Sequence, residues 1–216
     1  MCGIYVTNLP YSYTEVKSKL DTIKFRGPDY CGINKMNNIT LGHLRLAIID
    51  LDSRSNQPME YMSQSIVFNG EIYNFQEIRE ELIRHGHIFS TNGDTEVILR
   101  GYHEWGEKIV EKLNGMFAFA IYDSNTNKIF CSRDRLGVKP FYYYWKDGYF
   151  EIASQLRPIK LDKDLEIDES AVSMYLDCSY IPSPFTIYKE VKKLRPGYNL
   201  VIDLNKSELR TYEYWN

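Results

Sequence analysis

The sequence predicts an α+β fold in which antiparallel sheets are layered with helices. Short strand-like runs occur near the start of the chain, in its centre and at its end, and helical patterns are grouped between them. Residues 116–123 are apolar at almost every position, which is typical of a strand that is covered on both faces. The chain has 216 residues, of which 44% are hydrophobic, and can therefore bury a sizeable core.

The helices are predicted from apolar periodicity and from capping residues. Residues 14–25 carry apolar and Lys side chains on separate faces, as in an amphipathic helix. Asn74 is expected to cap the next helix, with Glu77 completing a capping box and Gly86 ending it. Asp94 is expected at a second N-cap. Two shorter helices are predicted at residues 108–113 and 168–176.

The strands are predicted from short apolar or alternating runs that are bounded by turn residues. The four central runs are evenly spaced and joined by turns, which indicates one antiparallel meander. The predicted strands are residues 2–7, 39–50, 64–69, 116–123, 128–133, 138–145, 149–154, 199–204 and 208–212.

Composition and charge exclude several classes of protein. A net charge of −3 gives no basic field for nucleic acid. The longest apolar run, residues 116–122, is too short to span a bilayer, so no membrane partner is expected. The N-terminus lacks the pattern of a signal peptide, which favours a cytoplasmic location. The four cysteines include no C-x-x-C pair, so neither a metal site nor a disulfide framework is predicted.

Cys2 is a candidate nucleophile because of its position. If Met1 is removed, one residue carries both a thiol and a free α-amine. That amine has a reference pKa of about 7.7–8.0, and can take the proton of a thiol whose pKa is about 8.5. The alternative is that Cys2 is an ordinary residue packed in a strand.

Asn69 and Gly70 follow an apolar strand and could form an oxyanion hole. An amide side chain next to an unhindered glycine N–H offers two adjacent donors for a tetrahedral intermediate. The dipeptide taken alone favours the alternative, a type I′ hairpin.

Arg45 and Asp94 are candidate ligands for the two ends of an amino acid. An Arg in a mostly apolar strand requires a planar anion such as a carboxylate, although it could also extend from a sheet edge into solvent. Asp94 could accept from an ammonium group, and its alternative role is a helix cap.

Seven motifs, in this order, resemble a known family. The chain resembles the N-terminal glutaminase domain of glutamine-hydrolysing asparagine synthetases, within the class II glutamine amidotransferases. The resemblance runs from residue 2 to about residue 215. The motifs are Met-Cys-Gly-Ile at residues 1–4, Arg-Gly-Pro-Asp at 26–29, His-Leu-Arg-Leu at 43–46, Phe-Asn-Gly-Glu-Ile-Tyr-Asn at 68–74, Gly-Asp-Thr-Glu at 93–96, Gly-Met-Phe-Ala-Phe-Ala at 115–120 and Arg-Asp-Arg-Leu-Gly-Val-Lys-Pro at 133–140.

The resemblance implies a four-layer αββα sandwich of the N-terminal-nucleophile hydrolase type. It also implies that residues 1–216 form one glutamine amidotransferase domain. It also implies hydrolysis of L-glutamine through a thioester on Cys2, with an oxyanion hole formed by Asn69 and Gly70. Arg45 is similar to the clamp on the α-carboxylate of glutamine, and Asp94 to the acceptor of its α-ammonium. The remaining residues expected around glutamine are Leu46, Ile48, Ile49 and Glu71.

The resemblance further implies a partner. Ammonia would pass to a C-terminal synthetase domain, in cis or in trans, which converts aspartate to asparagine. ATP and Mg²⁺ are expected only in that domain, because the sequence contains no Gly-rich phosphate loop. No cofactor or metal is expected here, and a homodimer is one state that the resemblance allows. A polysaccharide-pathway acceptor and, if Met1 is retained, a non-catalytic glutamine-binding module are the alternatives.

The sequence departs from the family at one of these motifs. Phe25 stands where the family usually has His before Arg-Gly-Pro-Asp. This position is not assigned a catalytic role.

Overall fold

The computed structural model describes all residues from Met1 to Asn216. Every strand pair is antiparallel, and the strands form two six-stranded sheets with the orders β10-β8-β9-β1-β3-β2 and β12-β11-β7-β6-β5-β4. The strands are β1 (Gly3–Thr7), β2 (Tyr30–Met36), β3 (Ile39–Arg45), β4 (Met59–Tyr61), β5 (Gln64–Ile72), β6 (Gly115–Asp123), β7 (Lys128–Arg133), β8 (Tyr142–Lys146), β9 (Tyr149–Ala153), β10 (Val191–Lys193), β11 (Tyr198–Asp203) and β12 (Glu208–Glu213). The α-helices are α1 (Tyr13–Asp21), α2 (Phe75–Arg84), α3 (Asp94–Trp105), α4 (Ile109–Lys112), α5 (Leu156–Lys160) and α6 (Glu169–Cys178).

Three apolar clusters define the layers of the sandwich. One cluster lies between the two sheets. A second lies between the sheet that contains β5 and β6 and the helices α2 and α3. The third lies between the sheet that contains β1 and β3 and the helices α1 and α5. In β6, Phe117 and Phe119 face the helices, whereas Ala118 and Ala120 face the other sheet. The prediction that this strand is covered on both faces is confirmed, as is the four-layer α+β sandwich.

The predicted central meander is wrong in its pairing. β6 pairs with β7 in one sheet, whereas β8 pairs with β9 in the other. The reason is that the irregular segment between β7 and β8 carries the chain across the sandwich, and local spacing does not reveal a change of sheet. The strand predicted to start at residue 138 begins at Tyr142.

Two further boundaries and one cap differ from prediction. β3 ends at Arg45 and does not continue to residue 50. β5 continues to Ile72, so the Asn69-Gly70 hairpin alternative is wrong. Asn74 caps α2 without a side-chain bond, because its amide instead bonds the Lys112 carbonyl and the Asn114 N–H.

None of the helices combines the length and the apolar character that crossing a membrane requires.

Candidate active site

The site lies at one open end of the sandwich, between the two sheets. Gly3 pairs with Leu44, so the antiparallel register places Cys2 beside Arg45 on neighbouring strands. Asn69 comes near the end of β5 in the opposing sheet. Side chains alternate between the two faces of a strand. By this alternation Cys2, Arg45 and Asn69 are on the same face as the residues that form the core between the sheets.

A cavity of about 170 Å³ occupies this end and is called the Cys2 cavity below. Every residue predicted for the site lies along its wall. These residues are Cys2, Arg45, Leu46, Ile48, Ile49, Asn69, Gly70, Glu71 and Asp94. Ile48 is at the exposed rim, whereas Asn69 is almost fully buried.

The Cys2 sulfur is held by the backbone that follows β3. Leu46 N–H donates to Sγ at 3.4 Å, and Sγ lies 3.7 Å from the Leu46 carbonyl. Arg26 Nε donates to the Cys2 carbonyl at 2.9 Å and so holds the backbone of Cys2 in place. Burial raises the pKa of the Cys2 thiol, while the Leu46 N–H opposes that rise. The thiolate therefore needs a base and positive charge nearby.

Asn69 and Gly70 present two donors to the Cys2 cavity. The Asn69 Nδ2 atom is buried and has no hydrogen-bond partner, although a buried amide nitrogen normally has one. Gly70 is required by packing, since a Cβ there would lie 2.2 Å from the Met116 carbonyl oxygen and 2.7 Å from the Phe117 Cα. A small residue thus lets the backbone of β5 approach β6 closely.

Arg45 is buried and holds the irregular segment that follows β3. Its Nη1 donates to the Asp52 carbonyl at 3.0 Å and to Asn56 Oδ1 at 2.7 Å, and its Nη2 donates to the Asp50 carbonyl. These bonds draw the chain around the guanidinium, which explains the early end of β3. All three acceptors are uncharged, so the positive charge of Arg45 is left without a carboxylate partner. A buried cation of this kind stabilises an anion that enters the cavity.

Asp94 is the first residue of α3 and not its N-cap, which is Gly93. Its carboxylate crosses to β5 and accepts from the Ile72 N–H. Burial raises its pKa to about 6, partly offset by the Ile72 hydrogen bond. A buried carboxylate is costly unless it is paired, and an ammonium group in the cavity would supply the pair.

Sequence reasoning missed several residues of the cavity wall. Lys139 is buried, and burial lowers its pKa; its Nζ contacts the Met1 sulfur at 3.1 Å. The motif at residues 133–140 could have pointed to it, because Lys139 is part of that motif. The other missed residues come from distant segments and are Met1, Ser55, Gln57, Phe68, Gly93, Thr95 and Met116.

No group of three or more His, Cys, Asp or Glu side chains is arranged to hold a metal ion. The polar groups around the Cys2 cavity are donors and charges suited to a small zwitterion.

Comparison with known proteins identifies the family. A model described as a glutamine amidotransferase domain matches residues 1–215. The chain belongs to this family.

Curated relatives of this glutamine amidotransferase domain are longer proteins. One is a putative glutamine-hydrolysing asparagine synthetase 2 of Methanocaldococcus jannaschii, 43% identical over 93% of this chain and 43% of the relative. Another is asparagine synthetase 3 of Bacillus subtilis, 36% identical over 100% of this chain and 37% of the relative. A third is amidase chry2 of Gibberella zeae, 32% identical over 100% of this chain and 34% of the relative. The chain therefore spans less than half the length of these relatives.

Solved structures share the fold of this glutamine amidotransferase domain. The glutamine phosphoribosylpyrophosphate amidotransferase of Bacillus subtilis superposes with a TM-score of 0.73 at 16% identity, over 100% of this chain and 49% of that chain. At this level of identity the likeness establishes the fold alone.

Proposed function

We propose that the domain hydrolyses L-glutamine to glutamate and ammonia, with Cys2 as the nucleophile once Met1 has been removed. The observation that carries the proposal is the convergence of Cys2 with two donors, Asn69 Nδ2 and Gly70 N–H, on one cavity. Arg45 and Asp94 on the same wall supply charges for the α-carboxylate and the α-ammonium of glutamine.

The first half of the proposed reaction forms a thioester. The terminal amine of Cys2 takes the thiol proton, and the sulfur attacks the γ-amide carbon to form a C–S bond. Negative charge develops on the amide oxygen, which accepts from Asn69 and Gly70. The C–N bond then breaks, and the terminal ammonium returns its proton to the leaving nitrogen, which departs as ammonia.

The second half releases glutamate. The terminal amine takes a proton from water as the water oxygen attacks the thioester carbon, and the same two donors hold the oxygen of the second tetrahedral intermediate. The C–S bond breaks, the sulfur regains a proton and glutamate leaves.

We further propose that the ammonia serves the amidation of aspartate to asparagine in an ATP- and Mg²⁺-dependent synthetase domain. The names of the two asparagine synthetase relatives support this acceptor. The alternative is that the same glutaminase serves another acceptor, such as one in a polysaccharide pathway. An assay of the domain together with its synthetase partner, with aspartate and ATP, separates these outcomes by the amide product formed.

A substitution of Cys2 tests the glutaminase. We expect Cys2→Ala to abolish glutamate release from glutamine and to leave the melting temperature nearly unchanged. Cys178→Ala is the matched control, because Cys178 is exposed. Glutaminase activity that survives Cys2→Ala in purified protein would refute the nucleophile.

A second function, a non-catalytic glutamine-binding module, is the alternative if Met1 is retained. Met1 lies against Lys139 and forms part of the cavity wall. If Met1 is retained, the Cys2 nitrogen is an amide and cannot act as the base. An intact-mass measurement on the purified protein distinguishes the two, since loss of one methionine supports the enzyme.

A further inference from the structure

The outer edge of β5 is open where it borders the Cys2 cavity. β4 pairs with β5 only from Gln64 to Ile66, so no strand lies beside the rest of that edge. Successive residues of a strand direct their N–H and C=O groups to opposite sides. The backbone groups of Phe68, Gly70 and Ile72 therefore point to this open edge.

Side chains replace the missing strand on either side of Gly70. The Phe68 N–H donates to Gln57 Oε1 at 2.6 Å, and the Phe68 carbonyl accepts from His43 Nε2 at 3.1 Å. The Ile72 N–H donates to Asp94 Oδ2 at 3.0 Å. Gly70 lies between Phe68 and Ile72, whose N–H groups are both bonded to side chains. Its own N–H has no side-chain partner and faces the cavity.

Gln57 is itself fixed at both ends of its amide. Its Nε2 donates to Thr95 Oγ1 at 3.1 Å, while its Oε1 is taken by Phe68. Gln57 and Thr95 are each 6% exposed, and His43 is fully buried. Each end of the Gln57 amide thus makes one hydrogen bond within the protein, and Gln57 also lines the cavity.

We propose that Gln57, held by Thr95 and acting beside His43, is a positioning residue that aims the Gly70 N–H at the developing oxyanion. The proposal rests on the proposed glutaminase function and assigns that function a residue that acts through the backbone of β5. A free strand edge can twist or shift, and a displacement of a fraction of an ångström weakens an oxyanion donor. Gln57 holds the N–H of Phe68 and His43 holds its carbonyl, and together they limit that freedom two residues before Gly70.

The readout that separates positioning from stability is the division of effects between kcat and KM. A donor that acts only in the transition state changes kcat, whereas a damaged pocket changes KM as well. For Gln57→Met, which keeps the approximate shape and removes both hydrogen bonds, we expect kcat for glutamine hydrolysis to fall about 10- to 100-fold. KM is expected to stay within about threefold, because the role proposed for Gln57 is to position a donor that acts in the transition state.

Gln64→Met is the matched control. Gln64 is on the same strand and is also 6% exposed, but it lies at the far end of β5 from the cavity. The control makes the same change of side chain in a buried position of β5 and should keep its kcat within about twofold. Thr95→Val gives a second variant that preserves shape and is expected to show a smaller fall in kcat, of about 3- to 10-fold, because Gln57 keeps its bond to Phe68.

The outcomes separate the two proposals. If the wild-type domain with a free N-terminal Cys2 releases no glutamate, the proposed function fails. If the wild type is active but Gln57→Met and Thr95→Val keep wild-type kcat, the positioning role of Gln57 is overturned. Equal losses of kcat in Gln57→Met and Gln64→Met would also overturn it, because the effect would then be one of general stability. Should Gln57→Met not fold, Thr95→Val alone decides.

Discussion

The Asp94 carboxylate at the start of α3 accepts a hydrogen bond from the Ile72 N–H at the end of β5, with an Oδ2–N distance of 3.0 Å. This contact joins the outer helical layer to the strand that carries the proposed oxyanion donors. It also holds a carboxylate in a buried position where its pKa is raised to about 6. The group proposed to recognise the α-ammonium of glutamine is therefore maintained at a cost to the folded domain.

Replacement of Asp94 tests this trade-off between stability and binding. A raised pKa means that the folded state holds a proton between about pH 4 and 6 which the unfolded state has released, so the carboxylate lowers stability as pH rises through that window. We expect Asp94→Asn to stabilise the domain at pH 7 by roughly 1–3 kcal/mol, at 1.36 kcal/mol per pKa unit. The gain should vanish below about pH 4 in urea unfolding curves.

The same variant should bind glutamine poorly. The amide introduced by Asp94→Asn carries no charge for the α-ammonium, so we expect the KM for glutamine to rise at least about tenfold. A variant that is less stable than wild type at pH 7 would contradict the stability argument, and an unchanged KM would contradict the assignment of Asp94 to the substrate.

Asn69→Ala removes one of the two proposed oxyanion donors. We expect kcat to fall about 10²–10³-fold with little change in KM, since the donor acts on charge that exists only in the transition state. Asn199→Ala is the control, because Asn199 is an equally buried amide on β11 in the same sheet. A fall of only a few-fold in steady-state kcat would leave Asn69 as a structural residue of β5.

Gly70→Ala tests the close approach of β5 and β6. The added Cβ meets backbone atoms of Met116 and Phe117, which cannot move aside as a flexible side chain could. We expect a loss of stability of about 1–3 kcal/mol by thermal unfolding, together with reduced glutaminase activity. Gly93→Ala serves as the control for stability, because its nearest contact, Ser55 Oγ, is 3.7 Å away. Equal melting temperatures for the two variants would contradict the steric argument.

Buried His43 is expected to make the stability of the domain depend on pH. Burial lowers its pKa to about 3, and its Nε2 carries the hydrogen that is donated to the Phe68 carbonyl. Between about pH 6.5 and 3 the unfolded state binds a proton that the folded state does not, so stability contributed by neutral His43 falls as pH falls. We expect the difference in unfolding free energy between wild type and His43→Leu to shrink by up to about 1.4 kcal/mol per pH unit below 6.5. Parallel curves for the two proteins from pH 7 to 4.5 would contradict this.

Local patterns in the sequence were sufficient for most helices and strands. The amphipathic period of α1, the turn residues around β7 and the apolar run of β6 each identify an element without reference to the rest of the chain. Local patterns failed where an alternative had the same local signature. Asn69-Gly70 has the composition of a hairpin but continues as strand, because its backbone is paired with Ala118 and Phe117 on β6.

The candidate site was predicted only where a motif marked it. Cys2, Arg45, Asn69, Gly70 and Asp94 each stand in a short pattern of known chemistry, and the structure places all five on one cavity wall. Their catalytic and binding roles remain predictions. Gln57 stands in none of the motifs, and Thr95 and Lys139 stand in motifs that assigned them no role. Their presence in that wall depends on segments that are far apart in the chain.

The sequence by itself determined the element types, the family and the residues able to carry the chemistry, because periodicity and motif order are properties of neighbouring positions. The tertiary structure alone decided which sheet each central strand joins and which side chains complete the open edge of β5. The physical reason is that strand pairing and edge completion depend on backbone groups meeting across the chain, which no local pattern of residues encodes.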